Sequence, residues 1–331
     1  MSETDEVDFA ELFEKDVDRE PASRWTRLKR SLDVAFLAPL RIAIHDWRAV
    51  VAGIILFGYA LMGTVAVRLE EEPSAGDYPI MKAPFESMNY PLGTDLYGRS
   101  IWGQIVHATP DMFKMIFAGA VFAVSLAAIV GLLAGFMRDN WIDTVLMMIA
   151  DIIITIPGLP LIIVITAVFQ PTNPYIVGVF LGIDMWPGLA RTVRSQVLSI
   201  REESYVEASQ IMGLSVPTIL RRDVAGQLMP YIMVNAALTS RRVVFESVAL
   251  YFLGVLPFTT YNWGVLMNLA YQANALTREQ LLPWLVFPMV TIILLSFAFV
   301  LLSQAMDAIF NVRLRARHAS TVSEEDREVS E

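Results

Sequence analysis

Cysteine is absent from the 331-residue sequence, which excludes disulfides, thiolate metal sites and cysteine nucleophiles. Histidine occurs only three times, at His45, His107 and His318, with no companion at metal-ligand spacing, so no metal site is assigned. There is no Gly-x-x-x-x-Gly-Lys-Ser/Thr loop, so the chain cannot by itself hold ATP in the P-loop manner. A Gly-x-Ser-x-Gly elbow and a His-Glu-x-x-His helix are also missing. No catalytic residue is therefore named, no cofactor is assigned to the chain, and the sequence does not read as an enzyme. No internal repeat of solenoid or propeller type is visible. Charge is scarce too, at 18% of residues, and its net value of −9 argues against a nucleic-acid partner.

What remains is apolar. Hydrophobic residues make up 55% of the chain and the mean hydropathy is +0.51. Charges are crowded at both ends and thin in long blocks, several of them about the 20 residues needed to cross hydrocarbon. Arg48 and Arg68 bracket one such block, Lys114 and Arg138 a second, and Glu279 and Asp307 a last one. Trp141 to Phe169 carries only Asp143 and Asp151, and Tyr175 to Ala190 follows after the Gln170–Pro174 breaker. A further block, Met229 to about Leu253, contains Arg241, Arg242 and Glu246, which must face protein or water rather than lipid. The fold class expected is all-α, a polytopic membrane protein of six transmembrane helices.

Lys and Arg accumulate on the cytoplasmic side of membrane proteins. With both termini inside, the cytoplasmic segments hold 18 Lys and Arg residues and the opposite side 5. The expected location is thus the cell membrane, crossed several times, with both termini cytoplasmic and lipids as direct partners.

The organisation expected along the chain follows. Residues 1–30 are a polar, disordered cytoplasmic tail, and 31–48 an interfacial segment leading into the first span at 49–67. An external loop occupies 68–112. Residues 113–310 form a core of five more spans, and 311–331 a second cytoplasmic tail. Pro157-Gly158-Leu159-Pro160 must break the third span near mid-membrane.

Within the core, the polar stretch 200–228 reads as two short helices. The first runs from about Arg201 to Met212, with Tyr205, Val206, Ile211 and Met212 apolar against Glu202, Glu203 and Glu207, and Gly213 supplies the stop. Ser215 can cap the second, Pro217 falls in its first turn, and Arg221 and Arg222 lie near its end. Shape alone leaves two readings, a lever that transmits a partner's motion and a plain amphipathic connector. The charges of the spans also leave two. Arg242 and Glu246, four apart, can pair on one helix face, or Asp184, Arg241, Arg242 and Glu246 can line a translocation path.

Glu207-Ala208-Ser209 followed by Gly213 resembles the Glu-Ala-Ala loop of binding-protein-dependent ABC importer permeases. The resemblance extends upstream through Trp186-Pro187-Gly188-Leu189-Ala190-Arg191-Thr192-Val193-Arg194 and Gln196-Val197-Leu198. Leu92-Gly93-Thr94-Asp95 with Gly98-Arg99, and Asp151 with Pro157-Gly158, resemble two further blocks of the dipeptide, oligopeptide and nickel importers. Block order and the long external loop resemble the C-type permease of a pair. Ser209 departs from the family's second alanine, and Ala225-Gly226 from its usual Leu-Pro.

This resemblance implies a permease subunit that moves dipeptides or oligopeptides by alternating access. Its partners would be a second permease in a heterodimer, two ATP-binding cassette subunits that bind ATP and Mg, and an extracellular solute-binding protein. Tyr205, Val206, Glu207, Ala208, Ile211 and Gly213 would couple it to the ATPases. The competing class is an ion-coupled secondary transporter working through the four charges of the spans.

Overall fold

The computed structural model describes residues 44–258 and 261–310. The two tails, 1–30 and 311–331, and most of the interfacial segment 31–48 lie outside the described residues. The fold set out below is that of the unit Arg48–Glu331. Among the described residues there is no strand, only an isolated bridge between Thr94 and Ser100.

The first helix, α1 (Trp47–Leu61), continues through a wide turn at Met62–Ala66 into Val67–Leu69. Next come α2 (Ile101–Phe136), α3 (Trp141–Thr155), α4 (Gly158–Phe169), α5 (Pro174–Leu181) and α6 (Trp186–Arg201). A hairpin follows, made of α7 (Ser204–Ile211), α8 (Val216–Ile219) and a wide turn over Leu220–Val224. The chain closes with α9 (Ala225–Phe252), α10 (Trp263–Gln272) and α11 (Leu282–Phe310). By length and composition three helical runs can cross a membrane, Trp47–Leu69, Ile101–Phe136 and Glu279–Ile309. The number rises to five if each of two bent pairs, α3 with α4 and α5 with α6, is one span. The bends are 89° and 55°. The first falls at Ile156-Pro157, where the sequence requires a break.

Helix α2 is the axis of the bundle, packing against α5, α6 and α9, while α9 also packs on α10 and α11. It begins at Ile101, a dozen residues before the second span expected from the charges. Ser100 caps it by accepting from the Gly103 amide at 3.2 Å. Pro110 is carried inside the helix, and just before it the Ile105 carbonyl accepts from the Thr109 hydroxyl and the Trp263 indole. The residues just before 113 thus belong to the helix and not to a loop.

The seam between α2 and its neighbours is made of glycine. A Cβ added at Gly119 would lie 2.7 Å from the Gly178 carbonyl oxygen, one at Gly131 2.6 Å from that of Ala190, and one at Gly135 2.6 Å from Val197 Cβ. The Gly131–Gly135 spacing is the small-xxx-small pattern that lets membrane helices meet backbone to backbone. Outward faces are apolar and bare, with Ile54, Phe57, Phe117, Val168 and Ile293 all more than half exposed. So much bare apolar surface on membrane-length helices suits lipid or a partner helix.

Between α1 and α2 the loop is tied by Asp95, which is fully buried. Its carboxylate accepts from the amides of Tyr97 and Arg99 at 2.8 and 2.9 Å, from Arg99 Nε at 2.7 Å and from Gln104 Nε2 at 3.1 Å. Gly93 has φ +86°, and a Cβ there would meet the Lys82 carbonyl. The Leu-Gly-Thr-Asp and Gly-Arg block is thereby a structural clasp.

Candidate functional site

Two places gather the residues singled out in the sequence, the hairpin after α6 and a charged cavity between the helix bends.

The hairpin has its own small core. Val206, Ile219, Val224 and Leu228 are buried together with Val193 and Val197 of α6 and Phe136 at the end of α2. The amphipathic pattern of the segment is therefore spent mainly on packing the hairpin against the bundle. Val206 is 0% exposed, so it cannot be part of a surface that touches a partner. This corrects the expectation that Val206 is among the residues that couple the chain to the ATPases by contact. Ile211 and Met212 are 80% and 70% exposed, and Glu207 and Ala208 are exposed beside them. Tyr205 is half-out, its hydroxyl accepting from Gln227 Nε2 at 2.5 Å. Met212 belongs to the apolar set expected of the first hairpin helix but not to the residues expected to couple it to the ATPases, and its exposure places it beside Ile211.

Helix α7 starts at Ser204, later than expected, because the chain makes a turn at Glu202-Glu203 after α6. Gly213 sits at φ +72° with open space where a Cβ would go, and the Leu214 amide beyond it donates to the Ser209 carbonyl at 3.2 Å. This left-handed cap turns the chain. Ser215 lies just before α8 without a side-chain cap bond, its hydroxyl pairing instead with Thr218 at 2.8 Å. Ser209 donates to Asp223 Oδ2 at 2.9 Å and so joins the two arms of the hairpin, which an alanine there could not do. The exit into α9 through Ala225-Gly226 is helical without interruption.

Two ion pairs fix α3 to α6. Arg194 Nε and Nη2 donate to Asp143 Oδ1 and Oδ2 at 2.7 and 2.6 Å, and Arg191 pairs with Asp151. The residues of the Arg-Thr-Val-Arg block and the acids of the third apolar block thus meet each other, which the sequence could not show across so long a separation.

The second place is where the bends touch. A Cβ at Gly158, the first residue of α4, would strike the Asp184 carboxylate in the turn between α5 and α6. Arg242 Nη2 of α9 reaches Asp184 Oδ2 at 3.3 Å and Glu246 Oε1 at 3.1 Å. Arg242 is therefore paired, as its spacing to Glu246 suggests, and Asp184 joins as a third member. The group borders a cavity of about 520 Å³ whose wall includes Gly158, Asp184, Asn235, Thr239, Arg241 and Arg242. Among the described residues no cluster of His, Asp and Glu could hold a metal ion.

The model of the family described as "binding-protein-dependent transport system inner membrane component" matches residues 127–316. The chain is similar to the dipeptide transport system permease protein DppC of Alkalihalophilus pseudofirmus, 28% identical over 270 residues that cover 78% of this chain and 86% of that protein. It is similar also to the oligopeptide transport system permease protein OppC of Bacillus subtilis, 29% identical over 69% of this chain and 73% of that one. The nickel transport system permease protein NikC of Escherichia coli is 27% identical, over 68% and 81%. The matched span runs from the glycine seam of α2 through both candidate places to the end of α11, and the chain belongs to the family of inner membrane components of binding-protein-dependent transport systems.

Proposed function

We propose that this chain is one of two non-identical permease subunits of an ATP-driven importer for dipeptides or oligopeptides. It works by alternating access and is driven through the hairpin at 200–228 by two partner ATPases. Those partners supply the bound ATP and Mg, and an extracellular solute-binding protein delivers the cargo. In this reading six helical passes cross the cell membrane, with α9 as a pass whose charges face protein, and both termini are cytoplasmic. The observation that carries it is the hairpin. Ile211 and Met212 stand bare at its tip beside Glu207, while its base is packed onto α6 and α9 through Val206, Val224 and Leu228. An exposed apolar tip on a stiff base suits docking into a partner's cleft and passing its motion to two helices. The names of the relatives in peptide transport support the cargo class.

The test is ATP-dependent peptide uptake in vesicles holding this chain with its permease, ATPase and binding-protein partners. Glu207→Lys and Gly213→Pro should leave membrane insertion and permease pairing intact while uptake collapses, since proline cannot adopt φ +72°. Uptake unchanged by both substitutions, or uptake that needs no ATPase, would move an ion-coupled mechanism through Asp184, Arg241, Arg242 and Glu246 to first place.

A further inference from the structure

The segment between α1 and α2 leaves large apolar side chains bare. Phe85 and Met88 are 81% and 92% exposed, and Ile80 is more than half exposed. Yet the turn that carries them is held firmly. The Phe85 amide donates to the Pro91 carbonyl at 2.9 Å, the Thr94 amide to the Lys82 carbonyl at 3.2 Å and the Met81 amide to the Asp95 carbonyl at 3.1 Å, so the turn stands on the Asp95 clasp. Phe85 is also left-handed, at φ +65°, a conformation that glycine or asparagine adopts more easily. A bulky apolar side chain kept in that conformation and turned to solvent does nothing for the fold that asparagine would not do better.

The surroundings are acidic. Both basic residues of segment 70–99 are already paired, Lys82 with Glu86 at 3.3 Å and Arg99 with Asp95 at 2.7 Å. Glu70, Glu71, Glu72 and Asp77 form no ion pair among the described residues. Three of them gather around Tyr78, whose hydroxyl is held above its usual range by desolvation and then by the charges of Glu70, Asp77 and Glu71. Tyr78 packs edge-on against Tyr90, with ring centroids 5.4 Å apart, so the acidic group adjoins the Phe85–Tyr90 turn. Surfaces that seek a membrane combine bare apolar groups with Lys and Arg. Bare apolar groups beside unpaired acids instead complement a protein hollow with a basic rim.

We propose that the Phe85–Tyr90 turn is a knob that docks in an apolar hollow, rimmed by Lys and Arg, on the extracellular solute-binding protein. This rests on the importer reading above, in which α1 delivers the segment outside the cell, and adds to it the chemistry by which the two proteins meet.

The test measures binding of the solute-binding protein to the complex of this chain with its partner permease and ATPases, held in phosphatidylcholine nanodiscs. Phe85→Asn suits the left-handed backbone and should leave the complex assembled, yet with Met88→Ser it should weaken binding by roughly tenfold or more. Phe85→Leu should stay within about threefold of wild type. Glu71→Gln with Glu72→Gln should slow association by roughly threefold at low salt and flatten its salt dependence. Because the chain lacks cysteine, Met88→Cys takes a polarity-sensitive dye at one place in this subunit, and its emission should shift to the blue when the binding protein is added. Emission already blue before that addition seats the turn in lipid and overturns the proposal. Loss of permease pairing in the Phe85 and Met88 variants assigns the knob to the second permease and overturns it too. Binding by the wild-type complex that these variants leave unchanged sinks this inference alone, whereas a wild-type complex that neither binds the protein nor couples transport to ATP sinks the importer reading.

Discussion

Removing either member of the Arg194–Asp143 pair should have unequal effects. The pair is bidentate, at 2.7 and 2.6 Å, and the side chains are 29% exposed for Arg194 and 9% for Asp143. Arg194→Met strands a carboxylate that has almost no access to water, and a buried charge left without its partner costs about 3 kcal/mol or more. Asp143→Asn strands a guanidinium on a long stem that already reaches solvent and can swing further out. The asparagine oxygen still accepts one of its hydrogens. The expected cost is about 1 kcal/mol. The double variant Asp143→Asn with Arg194→Met carries no unpaired charge, so it should be more stable than Arg194→Met alone, a coupling of at least about 1 kcal/mol between touching residues. Unfolding of the four purified proteins in one detergent, followed by the fluorescence of the seven tryptophans, measures all these differences. Equal losses for the two single variants, or a double variant whose loss is their sum, would refute the argument that burial of Asp143 sets the cost.

Other predictions concern backbone and loop. Gly213→Ala should loosen the hairpin by about 1–2 kcal/mol, and Gly213→Asn by less, since open space surrounds the missing Cβ and only the left-handed backbone resists; amide exchange of α7 reads both. Gly131→Ala should cost about 1–3 kcal/mol, because its Cβ would lie 2.6 Å from both the Ala190 carbonyl and Val193 Cβ. Gly188→Ala, with nothing within 4 Å, should stay within about 0.5 kcal/mol in the same unfolding assay. Asp95→Ala removes the acceptor of four hydrogen bonds and should expose the segment between α1 and α2 to limited proteolysis while α2 stays protected.

Much of this was legible in the sequence, for identifiable reasons. Charge-free windows located α1, α2 and α11 because lipid-length apolar runs are rare by chance. Pro157 located the break in the third apolar block because a missing amide cannot be hidden. The start of α2 was not legible, since His107, Pro110, Asp111 and Lys114 look like loop residues. In the structure Lys114 pairs with Asp111 at 2.7 Å and His107 Nε2 lies 3.1 Å from the Glu70 carbonyl. The run of α6 past Ala190 to Arg201 was hidden in the same way, because its arginines look like loop charges until Asp143 and Asp151 are placed beside them. Helix α10, between the last two long helices, gave no signal of its own. Its polar residues are satisfied locally, with Asn262 capping Gly264 at 2.8 Å and Asn268 donating to the Phe252 carbonyl at 2.7 Å.

The glycine seam has a consequence for movement. Where backbones touch, there is no layer of side chains to shear. Sliding α6 along α2 by even one residue would drive the β-branched Val193 and Val197 out of the notches that Gly131 and Gly135 leave for them. The two helices therefore behave as one girder. A displacement delivered to α6 would therefore carry α2 with it, and α5 as well, since Gly178 is locked against α2 in the same way.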